Sequence, residues 1–303
     1  MTEAIVDWAA EQLDGPLRVT VVKDRPWARV WRLTSQDGVS YLKETGVGSH
    51  FEAPLMAALH TAAPALVAPV LALDPEPGWL LLADAGPTLQ DQLSGAFSIH
   101  TWVPMLARFA ELQRVAEPLT ADLIAAGVPD ERTGRLFGVL KQLLTRSRHL
   151  ADLTEPERQA LLEPNRWAQA EEALAELPVK ASVQHGDLHA GNLSVGVDGE
   201  TRFFDLGDAS IAHPFTTMLV PLQMARHLGA DDGQLDRLRD GYLEVFTDLA
   251  PLPALRRGLE VALRIAVLPK ATAWDRALLT APADHDWGQP VLEYLQDLLS
   301  TDL

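Results

Sequence analysis

The chain has 303 residues, 47% of them hydrophobic, which is enough for a core shared by two lobes. It contains no cysteine, which excludes disulfides, zinc–thiolate sites and thiol nucleophiles. Its 42 acidic and 25 basic residues give a formal net charge of −17, without a basic run, so we expect no nucleic-acid or anionic-membrane partner.

The first part of the chain is predicted to be a small sheet with helices. The opening, MTEAIVDWAAEQL, is acidic and lacks the pattern of a signal peptide, and residues 3–13 read as an amphipathic helix. Asp37-Gly38 is a hairpin signal between two strands. A second helix is predicted from Ser49, as its N-cap, to about Thr61. The predicted strands are residues 17–23, 28–35, 39–45, 66–73 and 78–83.

After Asp84 the pattern becomes helical. Apolar residues recur at helical spacing around residues 99–115, 134–150, 155–177 and from 213 to the end. Two short strands, 193–197 and 201–204, are predicted to form an embedded hairpin at Asp198-Gly199. The expected organisation is an N-terminal lobe over 1–83 and a helical lobe over 84–303. No run of about 18 uncharged apolar residues occurs, so we expect no membrane span and a cytoplasmic protein.

The segment around this hairpin holds the most informative motif. His185, Asp187 and Asn192 form H-G-D-x-x-x-x-N, and Asp205-Leu206-Gly207 begins 18 residues after Asp187. Protein kinases carry H-R-D-L-x-x-x-N and D-F-G in the same order, with the same Asp-to-Asn spacing. The order, the spacing and the hairpin between the motifs together predict phosphoryl transfer.

The chemistry of that reaction explains these residue types. Transfer of a γ-phosphoryl group needs cations on the phosphate oxygens and an acceptor held in line. Asp205 and Asn192 are predicted ligands of Mg²⁺, and Asp187 is the predicted catalytic residue that receives the acceptor proton. His185 is expected to be structural and to steady the loop backbone.

The N-terminal lobe supplies candidate nucleotide contacts. Lys43 ends the third predicted strand, where kinases place the lysine that binds the α- and β-phosphates of ATP. Glu52, nine residues later at the start of the next helix, is the predicted partner of this lysine. Backbone groups from Ala83 to Ala85, where a buried strand ends, are predicted to meet the adenine edge.

Together, Lys43, Glu52, HGDLHAGN, FFDLGDA and the following His213-Pro214-Phe215 resemble the aminoglycoside phosphotransferase family, which also includes kinases of choline, homoserine and sugars. The resemblance implies an α+β protein-kinase-like fold, with a small antiparallel sheet and one main helix in the first lobe. It also implies ATP and Mg²⁺, and a small acceptor with a hydroxyl or amine group: an aminoglycoside, an amino alcohol or a sugar.

Three departures from protein kinases point to a small-molecule acceptor and a site that needs no activation loop. Gly186 stands where kinases have arginine, and only seven residues separate Asp205 from His213. The turn KDRPWARV lacks the glycine-rich motif, so the backbone of 25–28 is expected to cover the phosphates. The later G-V-G-S is expected to end the strand and cap the helix.

Two alternatives remain open at this stage. A metal-dependent hydrolase could use His185, Asp187, His189, Asp205 and Asp208 as ligands, and a pseudokinase could bind nucleotide without turnover. For a cationic or ring-shaped acceptor, the candidate contacts are Asp208, Asp275, Asp284, Asp286, Trp274 and Trp287. The sequence does not identify the acceptor, the choice between ATP and GTP, or the oligomeric state.

Overall fold

The N-terminal lobe is built on an antiparallel sheet. The computed structural model describes residues 2–196, 199–282, 285 and 287–300. The strands are β1 (Arg18–Arg25), β2 (Ala28–Ser35), β3 (Gly38–Thr45), β4 (Val70–Asp74) and β5 (Trp79–Ala83). They form one five-stranded sheet in the order β1-β2-β3-β5-β4. Register pairs Ser35 with Gly38, which confirms the predicted hairpin.

Two helices flank this sheet. Helix α1 (Thr2–Gln12) buries Ile5 and Ala9 in a small cluster with sheet residues such as Trp31. Helix α2 (Glu52–Ala62) instead contributes its apolar side chains to the main core, which continues into the second lobe. Helix α2 is therefore one of the elements of the first lobe that connect it to the rest of the protein.

Two local predictions for this lobe are wrong. Ser49 does not cap α2: the preceding residue is Phe51, which makes no side-chain cap, and Ser49 Oγ instead donates to the Gly207 carbonyl oxygen at 2.8 Å. The fourth strand begins at Val70 rather than at 66, because Val67 pairs outside the sheet, with Phe203. Both differences arise from contacts with the second lobe.

The second lobe is helical, as predicted. Its helices are α3 (Leu89–Gln92), α4 (Ile99–Ala116), α5 (Thr120–Ala125), α6 (Leu136–Arg146), α7 (Glu155–Leu161), α8 (Pro164–Ala175), α9 (Leu219–His227), α10 (Asp232–Leu243), α11 (Leu252–Ile265), α12 (Val267–Ala277) and α13 (Pro290–Ser300). Pro164 starts α8, so the region of predicted helical spacing over 155–177 contains two helices. Helix α4 is central: Trp102 and Phe109 are fully buried, and Gln113 donates to the Val183 and Pro214 carbonyls.

Four three-residue strands interrupt the helices: β6 (Ser182–Gln184), β7 (Leu193–Val195), β8 (Thr201–Phe203) and β9 (Ser210–Ala212). The β7–β8 hairpin was predicted, although Asp198 of its turn lies outside the described residues. The β6–β9 pair was not predicted. Its register, Gln184 opposite Ser210, brings the chain after β6 beside the chain before β9.

The sheet-forming part of the first lobe ends with β5 at Ala83, and we retain the division into 1–83 and 84–303 as a proposal. Within the described part of the chain, none of the helices combines the length and the apolar character that a membrane crossing requires.

Candidate active site

The two motif loops meet because of the strand pairs around them. The loop of residues 185–192 joins β6 to β7, and the loop of residues 204–209 joins β8 to β9. Gly186 has φ +78°, and a Cβ at this position would overlap the carbonyl oxygen of Asp208. The glycine at the position of the kinase arginine is therefore required by close packing of one loop on the other.

Lys43 links the first lobe to the second loop. Its Nζ lies 2.7 Å from the Glu52 carboxylate and 2.6 Å from Asp205 Oδ1, while Lys23 Nζ lies 3.4 Å from Asp205 Oδ2. Burial opposes the charge of Lys43, but Asp205 and Glu52 raise the pKa of this lysine above its ordinary value. Burial likewise opposes the charge of Asp205, but Lys43 and Lys23 hold the pKa of this carboxyl well below its usual range.

Helix α2 fixes the turn that carries Asp205. This residue has φ +60°, a left-handed conformation that is unfavourable for a residue with a side chain. The next backbone N–H, that of Leu206, donates to Glu52 Oε1 at 3.0 Å. Together with the Ser49 bond to Gly207, this bond holds the turn against α2. Burial raises the pKa of Glu52, in opposition to the attraction of Lys43.

Asp187 lies at the centre of the first loop. Asn192 Nδ2 donates to its backbone carbonyl at 2.8 Å and to its Oδ2 at 3.3 Å. Lys270 Nζ donates to Asp187 Oδ1 at 3.1 Å, and His189 Nε2 lies 3.5 Å from Oδ2. Burial opposes ionisation, but Lys270 and His189 outweigh it and hold the pKa of Asp187 well below its usual range.

Two lysines at the site, Lys270 and Lys23, were missed by sequence reasoning. Lys270 is a buried residue of α12, and its six nearest neighbours in the chain, residues 267–273, are buried as well. A charged residue within such a buried, otherwise uncharged stretch is the signal that could have identified it. Lys23 lies on β1, with nothing in the surrounding sequence to distinguish it from an exposed strand lysine.

His185 is structural, as expected, but its side chain does not bond the loop backbone among the described residues. Its ring is buried against Phe109, with ring centroids 5.6 Å apart, and neither ring nitrogen has a hydrogen-bond partner among the described residues. Only its backbone N–H contributes to the loop, by donating to Thr217 Oγ1 at 3.2 Å. Burial lowers the pKa of His185 to about 4. The ring is a neutral part of the core, because it packs there and bonds no loop residue in the part of the chain that the structure describes.

The hydrolase alternative gains no support from this geometry. Over the described ranges, no three or more histidine, aspartate or glutamate side chains are grouped so that they could hold a metal ion. The carboxylates of Asp187 and Asp208 instead share the ammonium group of Lys270. The pseudokinase alternative is not tested by geometry, since it concerns turnover.

Two cavities meet at the Lys43–Asp205 contact. The larger, about 420 Å³, lies under the sheet and is lined by residues that include Ala83, Ala85 and Asn192. The smaller, about 150 Å³, is lined by residues that include Asp187 and Trp274. Four residues line both cavities: Lys23, Lys43, Glu52 and Asp205.

The predicted metal ligands line the larger cavity together. Asp205 offers carboxylate oxygens, and Asn192 retains its side-chain oxygen because its Nδ2 is the atom bound to Asp187. Hard oxygen donors of this kind suit Mg²⁺, so the donor set fits the predicted ion.

The predicted acceptor contacts fall into three groups. Asp208 and Trp274 line the smaller cavity. Trp287 packs against Trp27, with ring centroids 5.1 Å apart. Asp275 acts on His149: burial lowers the pKa of this histidine, and the charge of Asp275 opposes that shift. Asp284 and Asp286 lie outside the described residues.

Comparison with solved structures shows a kinase-like fold. The choline kinase of Streptococcus pneumoniae is 13% identical, with 99% of each chain covered and a TM-score of 0.67. The macrolide 2'-phosphotransferase of Brachybacterium faecium is 19% identical, with 97% of this chain and 98% of that chain covered and a TM-score of 0.61. An aminoglycoside 2'-phosphotransferase solved as its GDP complex is 12% identical, with 100% of this chain and 98% of that chain covered and a TM-score of 0.60.

Comparison with curated protein sequences finds no match. The model of the phosphotransferase enzyme family, however, matches residues 28–259, from the start of β2 into α11. This match spans both motif loops and the Lys43–Glu52 pair. The α+β kinase-like fold and the phosphotransferase class predicted from the sequence are thereby confirmed, and the chain belongs to the phosphotransferase enzyme family.

Proposed function

We propose that this phosphotransferase moves the γ-phosphoryl group of ATP to a hydroxyl group of a small molecule. The observation that carries the proposal is the junction of the two cavities at Lys43 and Asp205. Asp187 lines only the smaller cavity and Ala85 only the larger. A nucleotide in the larger cavity would therefore direct its terminal phosphate toward an acceptor beside Asp187.

The larger cavity has groups that suit a nucleotide. The Ala83 N–H already donates to the Pro69 carbonyl, whereas the Ala85 N–H has no acceptor among the described residues and is free for an adenine nitrogen. Lys43, held by Glu52, would bind the α- and β-phosphates. Because one solved neighbour is a GDP complex, the choice between ATP and GTP is part of the test.

In the proposed reaction, the acceptor oxygen forms a bond to the γ-phosphorus while the bond from that phosphorus to the β,γ-bridging oxygen breaks, and ADP leaves. The hydroxyl proton passes to the Asp187 carboxylate. A carboxylate with a lowered pKa is a weak base, so Asp187 contributes mainly by orienting the hydroxyl, and it takes the proton late. This agrees with a loose transition state, in which positioning dominates.

Asp205 and Asn192 are the residues that would hold Mg²⁺, which when bound supplies positive charge to the phosphate oxygens. Lys23, on β1, is the further cation of this region. It lies where a glycine-rich loop would otherwise cover the phosphates, and its contact with Asp205 keeps it directed into the cavity.

The test is a screen for ADP or GDP formation with Mg²⁺ across hydroxyl-bearing acceptors. Asp187→Asn should bind MgATP nearly as tightly as the parent protein by calorimetry but lose about 10²–10⁴-fold in turnover. Asp248→Asn, which alters a surface aspartate paired with Arg114, is the matched control and should keep both. Retained turnover in Asp187→Asn contradicts the role of Asp187, and absent MgATP binding in the parent protein contradicts the function.

A further inference from the structure

Lys270 lines the smaller cavity, and its ammonium group already has a full set of hydrogen-bond acceptors. The residue is 6% exposed, and its Nζ donates to the Gly186 carbonyl at 2.8 Å, to Asp208 Oδ2 at 3.0 Å and to Asp187 Oδ1 at 3.1 Å. An ammonium group has three N–H donors, so all of them are used within the protein. Lys270 therefore has no donor left for an anionic acceptor.

The ammonium group of Lys270 also contacts the two carboxylates and the aromatic ring that would otherwise attract a cationic acceptor. Two carboxylates beside the cavity, those of Asp187 and Asp208, are neutralised in part by Lys270. The ring of Trp274 has Lys270 Nζ 5.8 Å from its centroid, within cation–π range. An acceptor with its own ammonium group would meet a cation at the point where its charge should be bound.

The remaining charged groups of the cavity are also paired within the protein, with one carboxylate in excess. Its lining residues carry three ammonium groups, from Lys23, Lys43 and Lys270, and four carboxylates, from Glu52, Asp187, Asp205 and Asp208. Burial opposes the charge of Lys270, but Asp208 and Asp187 outweigh it and raise the pKa of this lysine above its ordinary value. Lys270 thus stays protonated at neutral pH.

The aromatic residues that line the cavity suit an acceptor that contains a ring. Trp27, from the turn between β1 and β2, and Trp274, from α12, both line the cavity, with ring centroids 5.9 Å apart in an edge-to-face arrangement. Tryptophan rings present flat apolar surfaces of the kind that the C–H face of a sugar ring covers. Asp187 Oδ2, the oxygen that Lys270 does not bind, lies near Asn192 Nδ2 and His189 Nε2 and is the oxygen that would accept a bond from a neutral hydroxyl.

We propose that Lys270 occupies the position of the ammonium group of a cationic acceptor, and that the acceptor of this enzyme is an uncharged cyclic polyol. This inference rests on the proposed function and replaces the wider range of acceptors expected from the sequence. Lys270 lies beyond residues 28–259, the part of the chain that the family model matches.

The first test measures thermal unfolding without nucleotide. Lys270→Ala should lower the melting temperature, and propylammonium chloride should restore several degrees of it, because the probe replaces the lost ammonium and stem. Propanol and sodium chloride at matched concentrations should not. The parent protein should gain nothing from propylammonium, since its site is filled. Lys180→Ala, which removes an exposed lysine paired with Glu117, is the control and should show no rescue.

If Lys270→Ala does not fold, Lys270→Met keeps the apolar stem and is tested with ammonium chloride, because only the terminal nitrogen has been removed. The proposal is overturned if the parent protein gains as much from propylammonium as Lys270→Ala, because the cation site would then be open. It is equally overturned if neither variant gains, because the two carboxylates would then not form an ammonium site.

The second test compares acceptors with and without charge. Glucose and galactose are assayed for phosphorylation against glucosamine and galactosamine, which differ by one ammonium group. Preference for an amino sugar over its uncharged partner overturns the inference, and preference for the uncharged sugar supports it. A parent protein that turns over no nucleotide contradicts the proposed function alone, because the thermal experiment contains no nucleotide and decides the Lys270 site independently.

Discussion

The buried ion pair between Lys43 and Glu52 predicts a coupled loss of stability and of nucleotide use. Lys43→Met keeps most of the side-chain volume but removes the charge that faces two carboxylates. The Glu52 side chain is 1% exposed, so it loses its counter-charge without gaining water, whereas the Asp205 side chain is 32% exposed and remains partly hydrated. The cost should therefore come mainly from Glu52.

Removing one partner of a buried ion pair typically costs about 3–5 kcal/mol, and we expect Lys43→Met to fall in this range. Glu52→Gln should cost less, about 1–2 kcal/mol, because Lys43 keeps Asp205 as its partner at 2.6 Å. The double variant, Lys43→Met with Glu52→Gln, should be more stable than Lys43→Met alone, since the unpaired buried carboxylate has been removed.

Urea unfolding of the four proteins measures these free energies, and ATP titrations on the same samples measure nucleotide use. Lys43→Met should raise the apparent KM for ATP, because the lysine would no longer bind the phosphates. Lys180→Met is the matched control, since it removes an exposed lysine from a surface pair. The reasoning is refuted if Lys43→Met costs less than about 1 kcal/mol, or if the two single effects add without coupling.

Three further predictions concern other parts of the site. Asp205→Asn should abolish the Mg²⁺-dependent part of the rise in melting temperature that ATP produces, and an unchanged shift would exclude Asp205 as a metal ligand. Gly186→Ala should destabilise the protein and reduce turnover because its Cβ overlaps the Asp208 carbonyl, whereas Gly138→Ala, on the open face of α6, should be neutral or stabilising in the same unfolding assay. Burial lowers the pKa of His213 from 6.5 to about 3, so the unfolded chain takes up this proton first as the pH falls. The stability that the neutral ring contributes is present above pH 6.5 and declines below it, by about 2 kcal/mol at pH 5, and His213→Gln should show a correspondingly smaller loss between pH 7 and pH 5 in urea unfolding.

Features that depend on neighbouring residues could be predicted from the sequence. Asp37-Gly38 determines a tight turn, and the apolar periodicity determines α4 and most of the later helices. The spacing from Asp187 to Asn192 reflects a loop whose ends are connected within one short segment, by the bond from Asn192 to the Asp187 carbonyl. Such contacts are local, so the residues that make them carry a readable signal.

Strand pairing between distant segments could not be predicted in the same way. Strands β6 and β9 have three residues each, too few for an alternating pattern, and they form because they pair with each other. The role of Ser49 likewise depends on Gly207, a residue 158 positions later. A helix cap and a bond between lobes need the same side chain, and only the packed structure distinguishes them.

The sequence by itself determined the fold class, the phosphotransferase family and the order of the motif residues, because short motifs with fixed spacing identify all three. Only the tertiary structure decided what surrounds Asp187. Lys270 approaches it across 83 positions, and Trp27 reaches the same cavity from the other lobe. The charge and shape of the acceptor site arise where these segments converge, and a convergence of distant segments leaves no pattern in any single stretch of the chain.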